Sequence, residues 1–204
     1  MILNRDDIEA MEKRHRTCLI NCLSGYKSPM LVGTKSQSGV DNLSLFSSVF
    51  HLGANPPLIG MISRPHTVIR DTLENIIETG VYTLNLVDDS FFQLAHQCSA
   101  RYPQDESEFE GAGIESEFVN DFQAPFVLQS ALKIALELKE VKHLEINKTE
   151  LIIGEIKFIE IDDEILTEDG FADIAKAGAV ASVGLDAYHR VELANRLAYA
   201  KYSK

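Results

Sequence analysis

The sequence predicts a mostly β fold in which an antiparallel barrel carries peripheral α-helices. Six or so short apolar or alternating runs are bounded by turn residues, a pattern typical of strands. Only two or three segments have helical periodicity, and they do not alternate with the strands as a doubly wound sheet requires. No internal repeat and no Pro/Gly/Ser-rich linker divides residues 1–204, so we expect a single domain.

The first third of the chain begins with a short helical pattern and continues with strand patterns. Residues 4–13 place two apolar side chains on one helical face. A polar loop, residues 34–42, separates two apolar runs, and Pro56-Pro57 opens a third run. We expect strands over residues 30–33, 43–52 and 58–63.

The clearest helix of the sequence follows these strands. Apolar pairs recur every four residues across 68–77, and Gly80 follows as a C-terminal stop. Either Thr67 or Asp71 can cap the N-terminus, the latter in an Asp71-x-x-Glu74 capping box. This helix therefore has both a start signal and a stop signal.

The rest of the chain shows two long strand patterns. Residues 132–139 alternate between apolar and polar side chains, and residues 151–161 predict a second strand with a bulge at Phe158-Ile159. The remaining predictions are a strand at 81–87, a short helix capped by Ser90, and partial helix within the alanine-rich residues 171–204.

Charge is unevenly distributed along the chain. The formal net charge of -12, from 31 acidic and 19 basic residues, argues against nucleic acid and against an anionic membrane surface as partners. Residues 13–70 nevertheless hold seven bases and one acid, so this stretch is +6 and would attract a small anion, unless its bases are merely scattered. Two acidic runs, residues 105–121 and 160–169, are expected to be solvated loops or faces.

The cysteines and the N-terminus indicate a cytoplasmic protein. Three cysteines without a CxxC pair form neither a disulfide framework nor a zinc ligand set. Asp6, Asp7 and Glu9 stand where a signal peptide needs an apolar core, and no run approaches the ~20 apolar residues of a membrane span. The six histidines are dispersed, so we expect no metal site.

Two segments carry candidate binding chemistry, in a sequence without the GxGxxG, GKS/GKT, HExxH or GxSxG fingerprints. Ser63, Arg64 and Thr67 gather hydroxyls and a guanidinium before the predicted helix, where backbone N–H groups favour an anion. Residues 44–47 alternate polar and apolar side chains, so one face could offer amides and hydroxyls to a flat heterocycle. An ordinary capped helix beside an ordinary strand is the alternative interpretation.

The order and spacing of several short motifs resemble the flavin reductase-like family, whose members have an FMN-binding split barrel. The likeness covers most of residues 17–201 and is weakest across the acidic residues 105–121. The matching segments, in chain order, are LVGT at 31–34, NLSLFS at 42–47, NPPL at 55–58, SRP at 63–65, RDTLEN at 70–75, TGVYTLN at 79–85, GLDAYH at 184–189 and RLAYAK at 196–201.

The resemblance implies a homodimer of six-stranded antiparallel split β-barrels that hold FMN non-covalently near the subunit interface. Carried over by position, one group of residues would line the isoalloxazine edge, largely through backbone atoms, and a second group would hold the phosphate. The ring group is Ser44, Leu45, Phe46 and Ser47, with Asn85 bordering the flavin from the next strand; the phosphate group is Ser63, Arg64 and Thr67. The family commonly has Ala-Pro where this chain has Ser44-Leu45, a departure that bears on the ring contacts.

The function implied by the resemblance is transfer of electrons from NADH or NADPH, through FMN, to a small-molecule acceptor or a partner oxygenase. Because the flavin performs this chemistry, no catalytic residue is assigned. Tyr188 and His189 could help to hold a nicotinamide or an acceptor, or they are ordinary surface or interface residues. Two alternatives stay open: a flavin-binding electron carrier or storage protein without NAD(P)H activity, and an interaction domain whose cofactor site has decayed.

Overall fold

The computed structural model describes residues 1–65, 68 and 70–202 and confirms the mostly β class. The helices of this part of the chain are α1 (Arg5–Ala10), α2 (Lys13–Cys22), α3 (Asp71–Thr79), α4 (Phe92–Gln97) and α5 (Glu108–Ala112). The strands are β1 (Met30–Lys35), β2 (Asp41–Phe46), β3 (Val49–Ala54), β4 (Pro57–Ser63), β5 (Val81–Leu86), β6 (Ser116–Glu117), β7 (Phe126–Val127), β8 (Leu132–Leu144), β9 (Thr149–Ile161), β10 (Val180–Val183) and β11 (Ala187–Arg190).

Seven strands form one antiparallel sheet in the order β2-β1-β5-β8-β9-β4-β3. This is one strand more than the six expected, because the predicted run 43–52 is divided between β2 and β3 at residues 47–48. Although only these two residues connect them, β2 and β3 lie at opposite ends of the strand order. Two short pairs, β6–β7 and β10–β11, accompany the main sheet.

The longest pairing of the sheet is the hairpin of β8 and β9, which are 13 residues each. Ala135 pairs with Phe158 but Leu136 pairs with Ile156, so Lys157 is an extra residue on β9. The predicted bulge is therefore present, one residue earlier than the Phe158-Ile159 step at which the alternation changes.

Buried side chains form two groups, one on each face of the sheet around β1. Val32 of β1 belongs to the first group, which also contains Ile76 of α3. Leu31, its neighbour on the same strand, belongs to the second group, with Leu43 of β2 and Phe109 of α5. Since successive side chains of a strand point to opposite faces, β1 is buried on both sides.

The ends of the helices differ in part from the predictions. α3 ends as predicted at Gly80, which has a left-handed φ of 74°. Its N-cap is Arg70, which makes no side-chain capping hydrogen bond, so the predicted Asp71 capping box is wrong. Ser90 does not cap α4 either, because Phe91 is the N-cap and the Ser90 hydroxyl donates to Asp88 Oδ1 (2.5 Å).

The prediction of partial helix within residues 171–204 is wrong for the part that the structure describes. The hairpin β10–β11 occupies the middle of this segment, and residues 191–202 have no regular secondary structure. Gly178 and Gly184 have left-handed φ values of 75° and 65°, a conformation that interrupts a helix. No helix among residues 1–65, 68 and 70–202 is long and apolar enough to cross a membrane.

The acidic runs contribute partners to a buried cation. Lys133 of β8 has a side chain only 6% exposed, and it forms ion pairs with Glu117 and with Glu160, the latter at 2.7 Å. Each acidic run supplies one of these carboxylates. The expectation that both runs are solvated is therefore incomplete.

Candidate functional site

The segment after β4 carries the residues predicted to bind an anion. Ser63, the last residue of β4, is buried and pairs with Glu150 of β9. Arg64 follows with an exposed side chain, and it has no hydrogen bond or ion pair with any described residue. Thr67, the third predicted residue, lies outside the described residues.

The structure adds Arg70, which the sequence analysis did not assign to the site. The Nε of the half-buried Arg70 donates a hydrogen bond to the backbone oxygen of Pro65 (3.2 Å), so its side chain folds back toward Arg64. Burial, together with the positive charges of Arg64 and Arg101, holds the pKa of the Arg70 guanidinium below its usual value. Arginines that share one region in this way favour a bound anion. The sequence signal that could have assigned Arg70 to the site is its position within the positively charged residues 13–70.

The residues predicted to contact a flat ring lie at the end of β2 and in the turn after it. Leu45 is half-buried against the second core group, and Phe46 is half-buried against the first. Ser48 ties this turn to β4, because its hydroxyl donates to the backbone oxygen of Ile62 (2.7 Å). Ile62 immediately precedes Ser63, so the predicted ring and phosphate segments lie side by side.

β2 is an edge strand, and every second residue therefore directs its backbone N–H and C=O away from β1. Leu43 is such a residue, because its N–H donates to the Glu108 carboxylate (2.9 Å). By the same alternation, Leu45 presents its backbone N–H and C=O on this outer edge. An edge of this kind can exchange hydrogen bonds with the rim of a planar heterocycle.

Glu108 overturns the expectation that the first acidic run is simply solvated, because it is only 6% exposed. Its carboxylate accepts three hydrogen bonds, one from Leu43 N and two from Asn42 Nδ2 (2.8 and 3.0 Å). Burial is the largest influence on Glu108 and raises the pKa of its carboxyl. Phe109, the next residue, packs into the second core group. An apolar residue within the acidic run was the sequence signal that part of this run is buried.

Asn85 is placed beside the candidate site but uses its side chain within the protein. It is fully buried, and its Nδ2 donates to Leu31 O (3.1 Å) and to Thr83 Oγ1 (2.9 Å). Its Oδ1 accepts from Val127 N (2.9 Å). These bonds join β5 to β1 and β7, and a contact of Asn85 with a flavin stays a prediction.

Tyr188 and His189 make ring contacts within the chain. The hydroxyl of Tyr188 lies 2.9 Å from His96 Nδ1, and its ring packs against Phe92 with centroids 5.2 Å apart. Tyr188 borders the same core group as Leu45. His189 meets the edge of Tyr26 (5.1 Å between centroids). In the described part of the chain, no three His, Cys, Asp or Glu side chains come together as metal ligands would.

Comparison with known proteins identifies related chains. A family model described as the flavin reductase like domain matches residues 23–178. A split-barrel protein of Shewanella frigidimarina NCIMB 400, named as a candidate flavin reductase, superposes with a TM-score of 0.95 and 50% sequence identity, covering 98% of this chain and 100% of that chain.

Two more distant structures share the fold. Component B of nitrilotriacetate monooxygenase from Bacillus cereus has a TM-score of 0.84 at 19% identity and covers 97% of this chain and 98% of its own. Flavoredoxin of Desulfovibrio vulgaris (Miyazaki F) has a TM-score of 0.74 at 23% identity and covers 86% of this chain and 92% of its own. The family match over residues 23–178 and the shared architecture together show that this chain belongs to the flavin reductase like domain family, with its split-barrel fold.

Proposed function

We propose that this chain is an FMN-dependent oxidoreductase that passes electrons from NADH or NADPH to a small-molecule acceptor or a partner oxygenase. The observation that most supports this function is an open strand edge at Leu45 together with the guanidiniums of Arg64 and Arg70, on segments that the Ser48–Ile62 hydrogen bond joins. The first suits the rim of an isoalloxazine ring, and the second suits a phosphate monoester. Membership of the flavin reductase like domain family supports the same cofactor.

The groups at this site fit FMN in charge and in hydrogen-bonding capacity. A phosphate monoester carries about two negative charges near neutral pH, and it would meet two guanidiniums that form no ion pair with an acid among the described residues. Leu45 is half-buried and offers apolar surface to a flat ring on its own face of β2, whereas the Phe46 side chain points to the opposite face. FMN when bound supplies the hydride and electron transfer itself.

The residues of the chain would therefore bind and orient rather than react. Arg64 and Arg70 would hold the phosphate and so fix the direction in which the cofactor enters. The backbone N–H and C=O of Leu45 would set the in-plane orientation of the ring. Apolar contact with the Leu45 side chain would exclude water from the surface that the ring covers.

A flavin-binding electron carrier without NAD(P)H activity is the second candidate. The observation that favours it is the likeness to a protein named flavoredoxin. The likeness to component B of a monooxygenase favours instead an enzyme that works with a partner oxygenase. The two functions share the same cofactor site and differ in whether a nicotinamide donor reduces it.

We also propose that the chain acts in the cytoplasm as a homodimer, with the flavin near the subunit interface. The edge strand β3 supports this assembly, because it exposes Phe50 and Leu52 (41% and 43% exposed). Apolar side chains on an exposed sheet edge are typical of an interface.

The experiment that tests the proposed function is a titration of the purified protein with FMN, followed by anaerobic mixing with NADH and with NADPH. We expect visible flavin absorption to remain with the protein after gel filtration, and rapid bleaching with at least one nicotinamide. Retention of FMN without rapid bleaching would favour the electron carrier. A protein that retains no added FMN would contradict both functions.

A further inference from the structure

Glu108 is a buried carboxylate that the proposed cofactor contacts do not use. It lies at the start of α5, and all three of its hydrogen bonds run to β2. A buried carboxylate is costly, and it is tolerated only where donors are fixed around it. Here the donors are the Leu43 N–H and the Asn42 amide, so α5 and the outer edge of β2 are held together.

The same network continues to α3. Asn42 Oδ1 accepts hydrogen bonds from Thr34 Oγ1 (3.1 Å) and from Thr72 Oγ1 (3.0 Å). Asn75 Nδ2 in turn donates to Thr34 Oγ1 (3.1 Å). Thr72 and Asn75 both belong to α3 and are buried, and Arg70 is the N-cap of this helix.

Glu108 and the candidate ring contact therefore share one strand edge. Leu43 N–H, which Glu108 occupies, is the outward group that immediately precedes Leu45 on this edge. A shift of β2 at Leu43 would move Leu45 with it, since the two residues are separated by one peptide-bonded neighbour. A shift of α3 would likewise move Arg70.

We propose that Glu108 is a positioning residue that fixes the ring-binding edge of β2 relative to the phosphate-binding Arg70 at the start of α3. This inference rests on the proposed function, because it needs FMN bound at both places. A ligand held at two points gains affinity only when the two sites are spaced to match it. Glu108 would supply that spacing without touching the cofactor.

A residue that merely stabilises the fold would give a different result from one that sets this spacing. Loss of overall stability lowers the affinities for riboflavin and FMN by the same factor. Loss of the spacing weakens the binding of FMN alone, because FMN must reach both the ring edge and the arginines. Riboflavin has no phosphate and is held only at the ring edge. The informative quantity is therefore the ratio of the riboflavin and FMN dissociation constants.

The test compares Glu108→Gln with Glu110→Gln, an exposed glutamate of the same helix. Isothermal titration with FMN and riboflavin gives the ratio, and chemical denaturation gives the stability of each variant. We expect the ratio to fall at least about tenfold in Glu108→Gln and to stay within about twofold of the parent protein in Glu110→Gln. An unchanged ratio in Glu108→Gln would overturn the inference while leaving the proposed function intact, and failure of the parent protein to bind FMN would overturn both.

A second variant keeps the test decisive if Glu108→Gln does not fold. Thr72→Val preserves side-chain shape and leaves the Glu108–β2 bonds in place, but it removes one of the two hydrogen-bonded links to α3. We expect weaker binding of FMN, by at least about threefold, with riboflavin affinity unchanged. Equal loss for both ligands, or no loss for FMN, would contradict a positioning role.

Discussion

Arg64 and Arg70 differ in their surroundings although both flank the segment after β4. Arg64 is exposed, whereas Arg70 is half-buried and hydrogen-bonded to Pro65. An exposed guanidinium without a partner among the described residues is free to meet a ligand. The half-buried guanidinium of Arg70 is already oriented by its hydrogen bond, so it loses less side-chain entropy when it binds a ligand.

We predict that Arg64→Ala weakens FMN binding by about 10- to 100-fold, the range expected for one hydrogen-bonded charge. Riboflavin binding should not change, because riboflavin lacks the phosphate. Fluorescence titration with both ligands checks this, with Arg5→Ala, an exposed arginine of α1, as the control. Equal weakening of both ligands by Arg64→Ala would assign the arginine to another part of the site.

The thiols of Cys18 and Cys98 should differ in their reactivity toward alkylating reagents. Cys98 is 1% exposed, and burial raises the pKa of its thiol to about 12, whereas Cys18 is exposed. A thiol reacts as its thiolate, so Cys98 stays protonated and inert at pH 8. We predict that iodoacetamide at pH 8 labels Cys18 quickly and labels Cys98 only after unfolding, as peptide mass spectrometry would locate. Prompt labelling of Cys98 in the folded protein would show that the second core group opens readily.

At the level of elements, the side chain of Tyr82 on β5 reaches across β8 and leaves no room for a side-chain atom at Gly154 of β9. A Cβ there would collide with the hydroxyl of Tyr82 and crowd Leu136 at 3.0 Å. Tyr82 is fully buried, and its hydroxyl has no hydrogen-bond partner among the described residues. Gly154 therefore allows β9 to pass over the Tyr82 ring.

We predict that Gly154→Ala lowers the free energy of unfolding by about 1–3 kcal/mol, as overpacking in a core does. Lys157→Ala, at an exposed position of the same strand, should change it by less than about 0.5 kcal/mol. The double variant Gly154→Ala/Tyr82→Phe should recover part of the loss, since it removes the atom that the new methyl meets. Urea denaturation measures all three, and a double variant no more stable than Gly154→Ala would rule out the Tyr82 hydroxyl as the cause.

The elements that sequence could predict are those whose signal is local. The four-residue periodicity of α3, its stop at Gly80 and the alternation of β8 depend on the chain itself. The burial of Glu108 depends on Asn42, which is 66 residues away, so no local pattern reports it. Arg70 is close in sequence to Pro65 and Arg64, but its hydrogen bond to Pro65 and the nearby charge of Arg101 arise from the fold and have no periodic pattern that would report them.

At the level of the whole molecule, the proposed dimer gives a direct prediction. The parent protein should have a solution mass of about twice 22.7 kDa by light scattering. Leu52→Lys on the edge of β3 should raise the dimer dissociation constant at least about tenfold, because it places a charge in an apolar contact. Ile146→Lys, at an equally apolar but isolated exposed position in the β8–β9 turn, should have no such effect. A monomeric parent protein would contradict the proposed assembly.

The turn between β2 and β3 constrains the shape of the entire sheet. Phe46 and Val49 are three Cα steps apart, so the two terminal strands of the order must approach within about 11 Å of each other. The sheet must therefore roll up, yet these strands do not pair with each other among the described residues. A covalent link of two residues thus limits how far apart the two terminal strands can lie where β2 ends and β3 begins. Leu45 is the last residue of β2 whose backbone N–H and C=O point away from β1, so this link lies directly beyond the proposed ring-binding edge.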